Sequence, residues 1–179
     1  MEHESNELVR DFVKLALYTG ARRSNVLAMQ WPDVHLERKE WQIAMTKNGE
    51  PQTVLLTPEA IEVLERRKNA AQGSNSLFVF PGSGESGHLV EPRGAWERML
   101  ARGTALGLVE ALEEKATAKT FDYQLALEEA VDFPVQTIKR YTPVAEKHGL
   151  HLQHYEMRDL KIHDLRRTLG SWLASSGTS

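Results

Sequence analysis

Residues 18–33 read YTGARRSNVLAMQWPD, and this stretch decides how the first part of the chain folds. Apolar residues ahead of it recur with the spacing of an amphipathic helix: Leu8, Phe12, Leu15 and Ala16. Gly20 stands where glycine commonly ends a helix, and a second helix is predicted from about Arg22 to Met29. Pro32 ends that second helix. The stretch therefore predicts two helices joined by a tight turn, with an arginine directly after the turn.

Three strand-like runs follow this helix pair. They are Val34–Leu36, Trp41–Met45 and Thr53–Leu56. The turn between the second and third runs contains Asn48-Gly49, which is the strongest short-range signal for a β-hairpin. The sequence therefore predicts a small antiparallel sheet of three strands.

The remainder of the chain reads as mostly helical. Thr57-Pro58 predicts an N-cap and first turn, with a helix running to about Ala71. Residues 77–80 are predicted as a short strand and 81–87 as a flexible loop. Further helices are predicted over 93–106, in two or three pieces over 109–160, and from about His163. The fold class is α+β, mostly helical with one small three-stranded antiparallel sheet.

Composition sets broad limits on the kind of protein. The chain has 179 residues, no cysteine and a net charge of -3, so it carries no disulfide framework or thiolate metal site. No apolar run approaches the ~20 residues that span a bilayer, and the polar N-terminus is not a signal peptide. We therefore expect a cytoplasmic protein that does not enter a membrane.

The negative charge is concentrated in one segment. Residues 109–160 hold ten acidic and six basic side chains, a net of -4, whereas the remainder carries a net of +1. Simple coating of DNA usually requires a basic excess, but a DNA-binding surface outside the acidic segment is compatible with this distribution. Overall charge neither supports nor excludes a nucleic-acid partner.

Two segments carry residue types that suit a phosphodiester. Arg22 follows the glycine turn, and residues 162–167 read IHDLRR. Within the second segment His163 and Arg166 lie three apart, so they share one face of a helix. A guanidinium donates two parallel hydrogen bonds to phosphate oxygens, and histidine exchanges a proton near neutral pH.

Both segments resemble the signature boxes of tyrosine recombinases, the phage-integrase family. Residues 18–33 resemble the first box, and residues 162–174, reading IHDLRRTLGSWLA, resemble the second along their whole length. The resemblance covers residues 1–108 and about 158–179. It implies a tyrosine-recombinase catalytic-domain-like fold and site-specific DNA recombination, or DNA integration, by breakage and rejoining of strands through a phosphotyrosyl intermediate.

The resemblance also implies a role for four residues. Arg22 and Arg166 would clamp the scissile phosphate, and Lys47, at the tip of the predicted hairpin, would protonate the departing 5′ oxygen. His163 would assist proton transfer at the nucleophile. Asn25 stands where the family often has a carboxylate that helps to orient the first arginine. The implied partners are double-stranded DNA and other recombinase protomers, in a prokaryotic or phage-encoded setting, with no cofactor or metal.

The family pattern continues beyond the second box to a nucleophilic tyrosine that this chain does not match. Its tyrosines all precede His163: Tyr18, Tyr123, Tyr141 and Tyr155. We therefore expect residues 1–179 to be a catalytic domain truncated before its nucleophile and inactive alone. Residues 109–157 are predicted as an acidic helical insertion, and the family's N-terminal DNA-binding domain is expected to be absent.

Other readings carry less weight. His148, His151 and His154 have a spacing that a metal site could use, although solvated or capping histidines explain them as well. The loop over 81–87 lacks the ending of a phosphate-binding P-loop. The main alternative is a non-catalytic DNA-binding or regulatory remnant of an integrase. A helical scaffold unrelated to DNA is a third possibility, and type IB topoisomerases share the chemistry but match the two boxes less well.

Overall fold

The computed structural model describes residues 4–44, 50–115, 121–157 and 160–161. In these ranges the helices are α1 (Glu7–Thr19), α2 (Arg23–Leu27), α3 (Pro58–Ala70), α4 (Arg93–Lys115), α5 (Tyr123–Asp132) and α6 (Pro134–Lys147). The strands are β1 (Val34–His35), β2 (Glu40–Ile43) and β3 (Gln52–Leu55). The predicted class, mostly helical with a small three-stranded antiparallel sheet, is confirmed.

The chain divides into two compact units. Unit 1 comprises residues 1–92 and 161–179, and unit 2 comprises residues 93–160. Unit 1 carries α1 to α3 and the sheet, whereas unit 2 is built from α4, α5 and α6. Within the described ranges, none of the helices is both long and apolar enough to cross a membrane.

Helix α1 is capped at both ends, and it ends at Gly20 as its sequence predicts. The Asn6 side chain accepts a hydrogen bond from the backbone N–H of Val9 (3.3 Å), which satisfies one of the unpaired donors of the first turn. At the other end Gly20 adopts a left-handed conformation, φ 58°, and its N–H bonds the carbonyl of Ala16 at 3.2 Å. A residue with a Cβ disfavours this conformation, so the glycine fixes the point at which α1 stops.

The three strands form one sheet in the order β1-β2-β3, with both pairs antiparallel. Trp41 in β2 lies opposite Val34 on one side and Val54 on the other, and its ring is buried. The sheet passes into α3 through Thr57, whose hydroxyl accepts a hydrogen bond from the N–H of Ala60 (3.3 Å). This confirms the predicted cap and proline start of α3.

The turn between β1 and β2 contains a strained residue. Lys39 has φ 55°, and it is the only non-glycine residue with a positive φ among the described residues. The Lys39 N–H bonds the carbonyl of Leu36 at 3.1 Å, and its own carbonyl accepts from the N–H of Leu56 at 2.8 Å. The left-handed conformation costs an L-residue about 1–2 kcal/mol, which glycine does not incur.

We expect Lys39→Gly to raise the free energy of unfolding of unit 1 by about 1 kcal/mol, because glycine relieves that strain. Urea denaturation followed by circular dichroism measures the change. Glu37→Gly is the matched control in the same turn, and it is expected to lower stability by about 0.5 kcal/mol through added chain entropy. Equal destabilisation by the two variants would show that the Lys39 conformation carries no cost.

The core of unit 1 lies between α1, α2, α3 and the inner face of the sheet. The Phe12 and Phe80 rings meet edge-to-face with their centroids 5.8 Å apart, a preferred aromatic geometry. The largest fully buried apolar side chains here are Phe12, Leu15, Val26, Met29, Trp41, Leu64 and Phe80. This core supports the turn between α1 and α2.

Residues 77–80 are not a strand, and that prediction is wrong. The segment has isolated contacts instead: the N–H of Val79 bonds the carbonyl of Met29 (2.9 Å), and the Leu77 carbonyl accepts from the N–H of Trp31 (3.0 Å). Gln30 and Phe78 form a single bridge rather than a ladder. The apolar run is explained by burial of Val79 and Phe80 in the core and not by strand pairing.

Helix α4 continues past its predicted end at residue 106 to Lys115. Gly103 lies inside this helix because another segment approaches it closely: a Cβ at Gly103 would lie 2.6 Å from Sδ of Met157. Burial of Leu108, Val109 and Leu112 stabilises the additional turns.

Unit 2 has its own apolar core between α4, α5 and α6. Phe121 and Tyr141 pack edge-to-face with ring centroids 5.4 Å apart. The other members of this core are Ala105, Leu108, Val109, Leu112, Ala126, Ala130 and Ala145. Residues 109–157 therefore pack with residues 93–108 as one unit, and their status as an insertion stays a prediction.

Candidate functional site

The backbone around Arg22 is fixed by hydrogen bonds on both sides. The Thr19 hydroxyl donates to the carbonyl of Leu15 (2.7 Å) and accepts from the N–H of Ala21 (3.3 Å), so it ties the turn to the end of α1. Arg22 itself is the N-cap of α2 in an extended conformation, φ -63° and ψ 139°. Its carbonyl accepts from the N–H groups of Asn25 (2.9 Å) and Val26 (3.1 Å). These hydrogen bonds fix the backbone from which the Arg22 side chain extends.

The Arg22 guanidinium is half-buried and forms no ion pair or hydrogen bond with any described residue. A guanidinium held in this way retains its donors for a planar anion such as phosphate. Asn25, in the position of the expected orienting carboxylate, forms no side-chain hydrogen bond with Arg22 in the described part of the chain. The hydrogen-bonded turn, rather than a neighbouring side chain, fixes the backbone at Arg22.

The neighbouring Arg23 has a different environment. Its side chain is exposed, and Nη1 lies 3.5 Å from Oε1 of Glu91. This ion pair joins the start of α2 to the segment that leads out of unit 1. Because exposed ion pairs contribute about 0–1 kcal/mol, Arg23 acts as a weak surface link.

Lys47, His163 and Arg166 lie outside the described residues. Of the four predicted site residues, the structure thus describes only Arg22. The convergence of all four on one phosphate stays a prediction. The strands on both sides of Lys47 are described: Ile43 of β2 pairs with Gln52 of β3. The position of Lys47 at the tip of this hairpin stays a prediction.

Two of the described tyrosines have a raised pKa. Burial raises the pKa of Tyr141 above 10, and the Glu129 carboxylate adds to this while the Arg140 cation opposes it. Desolvation, and then Glu113 and Glu110, raise the pKa of Tyr123. Both shifts favour the protonated phenol.

The histidines of the segment 148–154 are exposed. The rings of His151 and His154 meet edge-to-face with their centroids 6.0 Å apart. In the parts of the chain that the structure describes, no group of three or more histidine, cysteine or acidic side chains has an arrangement that could hold a metal ion. Solvated histidines account for this segment.

A buried charge cluster, which the sequence reasoning missed, links α1 to α3. Asp11 lies on the buried face of α1, and its Oδ1 accepts from Nη2 of Arg66 at 2.7 Å. The Arg66 Nε lies 3.2 Å from the same oxygen, and Nη1 of Arg67 lies 3.9 Å from Oδ2. The available signal was a carboxylate within the apolar stripe of α1 and two adjacent arginines on α3.

Comparison with known proteins defines the class. A sequence model described as the phage integrase family matches residues 3–179. The chain belongs to the phage integrase family, which confirms the resemblance of its two boxes.

Curated relatives agree with this assignment. The chain is 30% identical over 99 residues to "Prophage integrase IntF" of Escherichia coli K12, a match that covers 54% of the chain and 21% of that protein. It is 38% identical over 56 residues to a "Putative integrase/recombinase" of Haemophilus influenzae Rd, covering 31% of the chain and 18% of the relative. The matches thus span about a fifth of each relative. No solved structure gives a significant match.

Proposed function

We propose that the chain is part of a tyrosine site-specific recombinase that breaks and rejoins double-stranded DNA. The observation that carries this proposal is Arg22, a half-buried arginine with no described partner that the Thr19-Gly20 turn holds at the start of α2. Membership of the phage integrase family supports it. The DNA substrate would place the protein in the cytoplasm of a prokaryotic cell, together with other protomers on DNA.

In the proposed reaction a tyrosine oxygen attacks the scissile phosphorus, forming a 3′-phosphotyrosyl bond and breaking the bond to the 5′ oxygen. Lys47 gives a proton to that departing oxygen, and His163 takes the proton of the attacking phenol. Arg22 and Arg166 stabilise the charge on the non-bridging oxygens. The 5′ hydroxyl of another strand then attacks the phosphotyrosyl bond and releases the tyrosine, so the energy of the phosphodiester is conserved.

Residues 1–179 are proposed to lack the nucleophilic tyrosine. The fragment alone would bind DNA without becoming covalently attached to it. Reading of the gene past codon 179 would identify the tyrosine of an active recombinase.

We expect the 179-residue chain to shift nicked duplexes in a native gel but to form no covalent adduct in a denaturing gel. Duplexes that tile the DNA flanking the gene serve as substrates, and the full gene product is the comparison, for which an adduct is expected. An adduct formed by the fragment would contradict its proposed inactivity. Binding by both without any adduct would instead establish the non-catalytic, regulatory alternative, and no binding by either would overturn the DNA-binding function.

A further inference from the structure

A cavity of about 620 Å³ opens in unit 1 between the β1–β2 turn and the C-terminal part of α3. Its apolar lining includes Trp31, Val34 and Leu36, and its polar lining includes Arg38 and Lys68. The volume lies within the range of binding pockets, roughly 300–1,000 Å³. The family assignment gives this cavity no role.

The cavity has more positive than negative groups. Arg38 and Lys68 are both exposed, and neither forms an ion pair or hydrogen bond with another described residue. Glu37 is the one carboxylate among the described lining residues. Two unneutralised cations beside an apolar wall suit a partner that presents carboxylates next to an apolar side chain.

Helix α5 of the same chain presents such a surface. Leu125, Glu128 and Asp132 recur at spacings of three and four, so they lie on one exposed face. Leu125 is 43% exposed, and Phe133 at the end of the helix is 58% exposed. Residues 123–132 contain three carboxylates and no lysine or arginine. The Asp132 carboxylate has no partner among the described residues.

We infer that the cavity of one copy receives the exposed face of α5 from a second copy. Arg38 and Lys68 would pair with Glu128 and Asp132, and Leu125 would contact the apolar wall. Phosphate could neutralise the cations but would leave that wall uncovered, which favours the helix as the occupant. Because the cavity and α5 are different surfaces, each copy offers one of each to other copies. This contact requires no DNA and does not depend on the recombinase mechanism.

Sedimentation velocity of the 179-residue chain without DNA tests the inference with two charge-reversed variants. Variant one is Arg38→Glu with Lys68→Glu, and variant two is Glu128→Lys with Asp132→Lys. We expect the wild-type weight-average mass to rise with concentration at low salt, and 0.5 M salt to weaken association at least about tenfold. Each variant alone should sediment as a monomer, because its cavity and α5 then carry the same sign of charge.

A mixture of the two variants is the decisive sample. In the mixture, the acidic α5 of variant one can bind the basic cavity of variant two, and the basic α5 of variant two can bind the acidic cavity of variant one. Both pairs have opposite charges, so the mixture should regain association. Glu85→Lys with Glu146→Lys controls for net charge at exposed sites away from both surfaces, and it should associate like the wild type. Monomers in the mixture, a monomeric wild type, or association of either variant alone would overturn the inference. DNA binding measured on the same samples tests the proposed function separately.

Discussion

Arg22→Ala is expected to slow DNA strand cleavage by the full gene product about a hundredfold to a thousandfold. The reason is the loss of charge stabilisation on the non-bridging oxygens, for which removal of one preorganised donor typically costs that much. Arg22→Lys should also be strongly impaired, because an ammonium keeps the charge but loses the planar fork. Single-turnover cleavage of a nicked duplex, with enzyme in excess, measures the chemical step.

Arg10→Ala is the matched control for this experiment. Arg10 also lies in the α1 region, but its Nη2 pairs with the exposed Glu7 at 3.3 Å, and we expect cleavage to stay within about threefold of wild type. DNA affinity of the Arg22 variants should change less than about tenfold, since one phosphate contact among several is lost. Wild-type cleavage by a folded, DNA-bound Arg22→Ala protein would exclude Arg22 as a phosphate clamp.

Asp11→Ala is expected to destabilise unit 1 by about 3–5 kcal/mol. Only 1% of the Asp11 side chain and 11% of the Arg67 side chain are exposed. The Arg67 Nε is buried without a hydrogen-bond partner among the described residues, so the carboxylate provides the nearby compensating charge. Its removal leaves a buried cation uncompensated. Native-state hydrogen exchange of amides in α1 and α3 measures the loss within unit 1.

Two further variants separate charge burial from loss of packing. Glu7→Ala removes an exposed ion pair from the same helix and should cost no more than about 0.5 kcal/mol. Asp11→Leu combined with Arg67→Met replaces the two buried charges by apolar groups and should recover much of the lost stability, because the remaining Arg66 side chain is 42% exposed and stays solvated. If the double variant is as unstable as Asp11→Ala, the ion pair is not the source of the effect.

Local signals predicted those parts of the fold that local chemistry determines. Gly20 and Thr57 mark a helix end and a helix start, and the structure contains the left-handed glycine and the hydroxyl cap that they imply. The three-stranded sheet follows from strand runs separated by turns. Each of these features depends on a few neighbouring residues, and the sequence displays them directly.

Features that depend on distant contacts were not predictable. The helix that begins at Arg93 was predicted to end at residue 106, yet α4 continues to Lys115, where the buried side chains of Leu108 and Leu112 stabilise it. Residues 77–80 have the composition of a strand, but they form a single bridge with Gln30 and bury Val79 and Phe80 in the core. Asp11 interrupts an apolar stripe, and the arginine that pairs with its carboxylate, Arg66, lies 55 residues away in the chain. At the candidate site, the sequence was sufficient to indicate Arg22 as an anion ligand. The structure adds the hydrogen bonds of the turn that fix the Arg22 backbone.

The hydrogen-bonded turn after α1 couples the length of that helix to the position of Arg22. Each α-helical residue advances the chain by about 1.5 Å and rotates it by about 100°. An insertion or deletion within α1 would either rotate Arg22 away from its present direction or force α1 to slip against α3, to which Asp11 binds it. Changes of side chain on the exposed face of α1 carry no such penalty. The residues on the exposed face of α1 can therefore vary, whereas the number of residues in the helix is constrained.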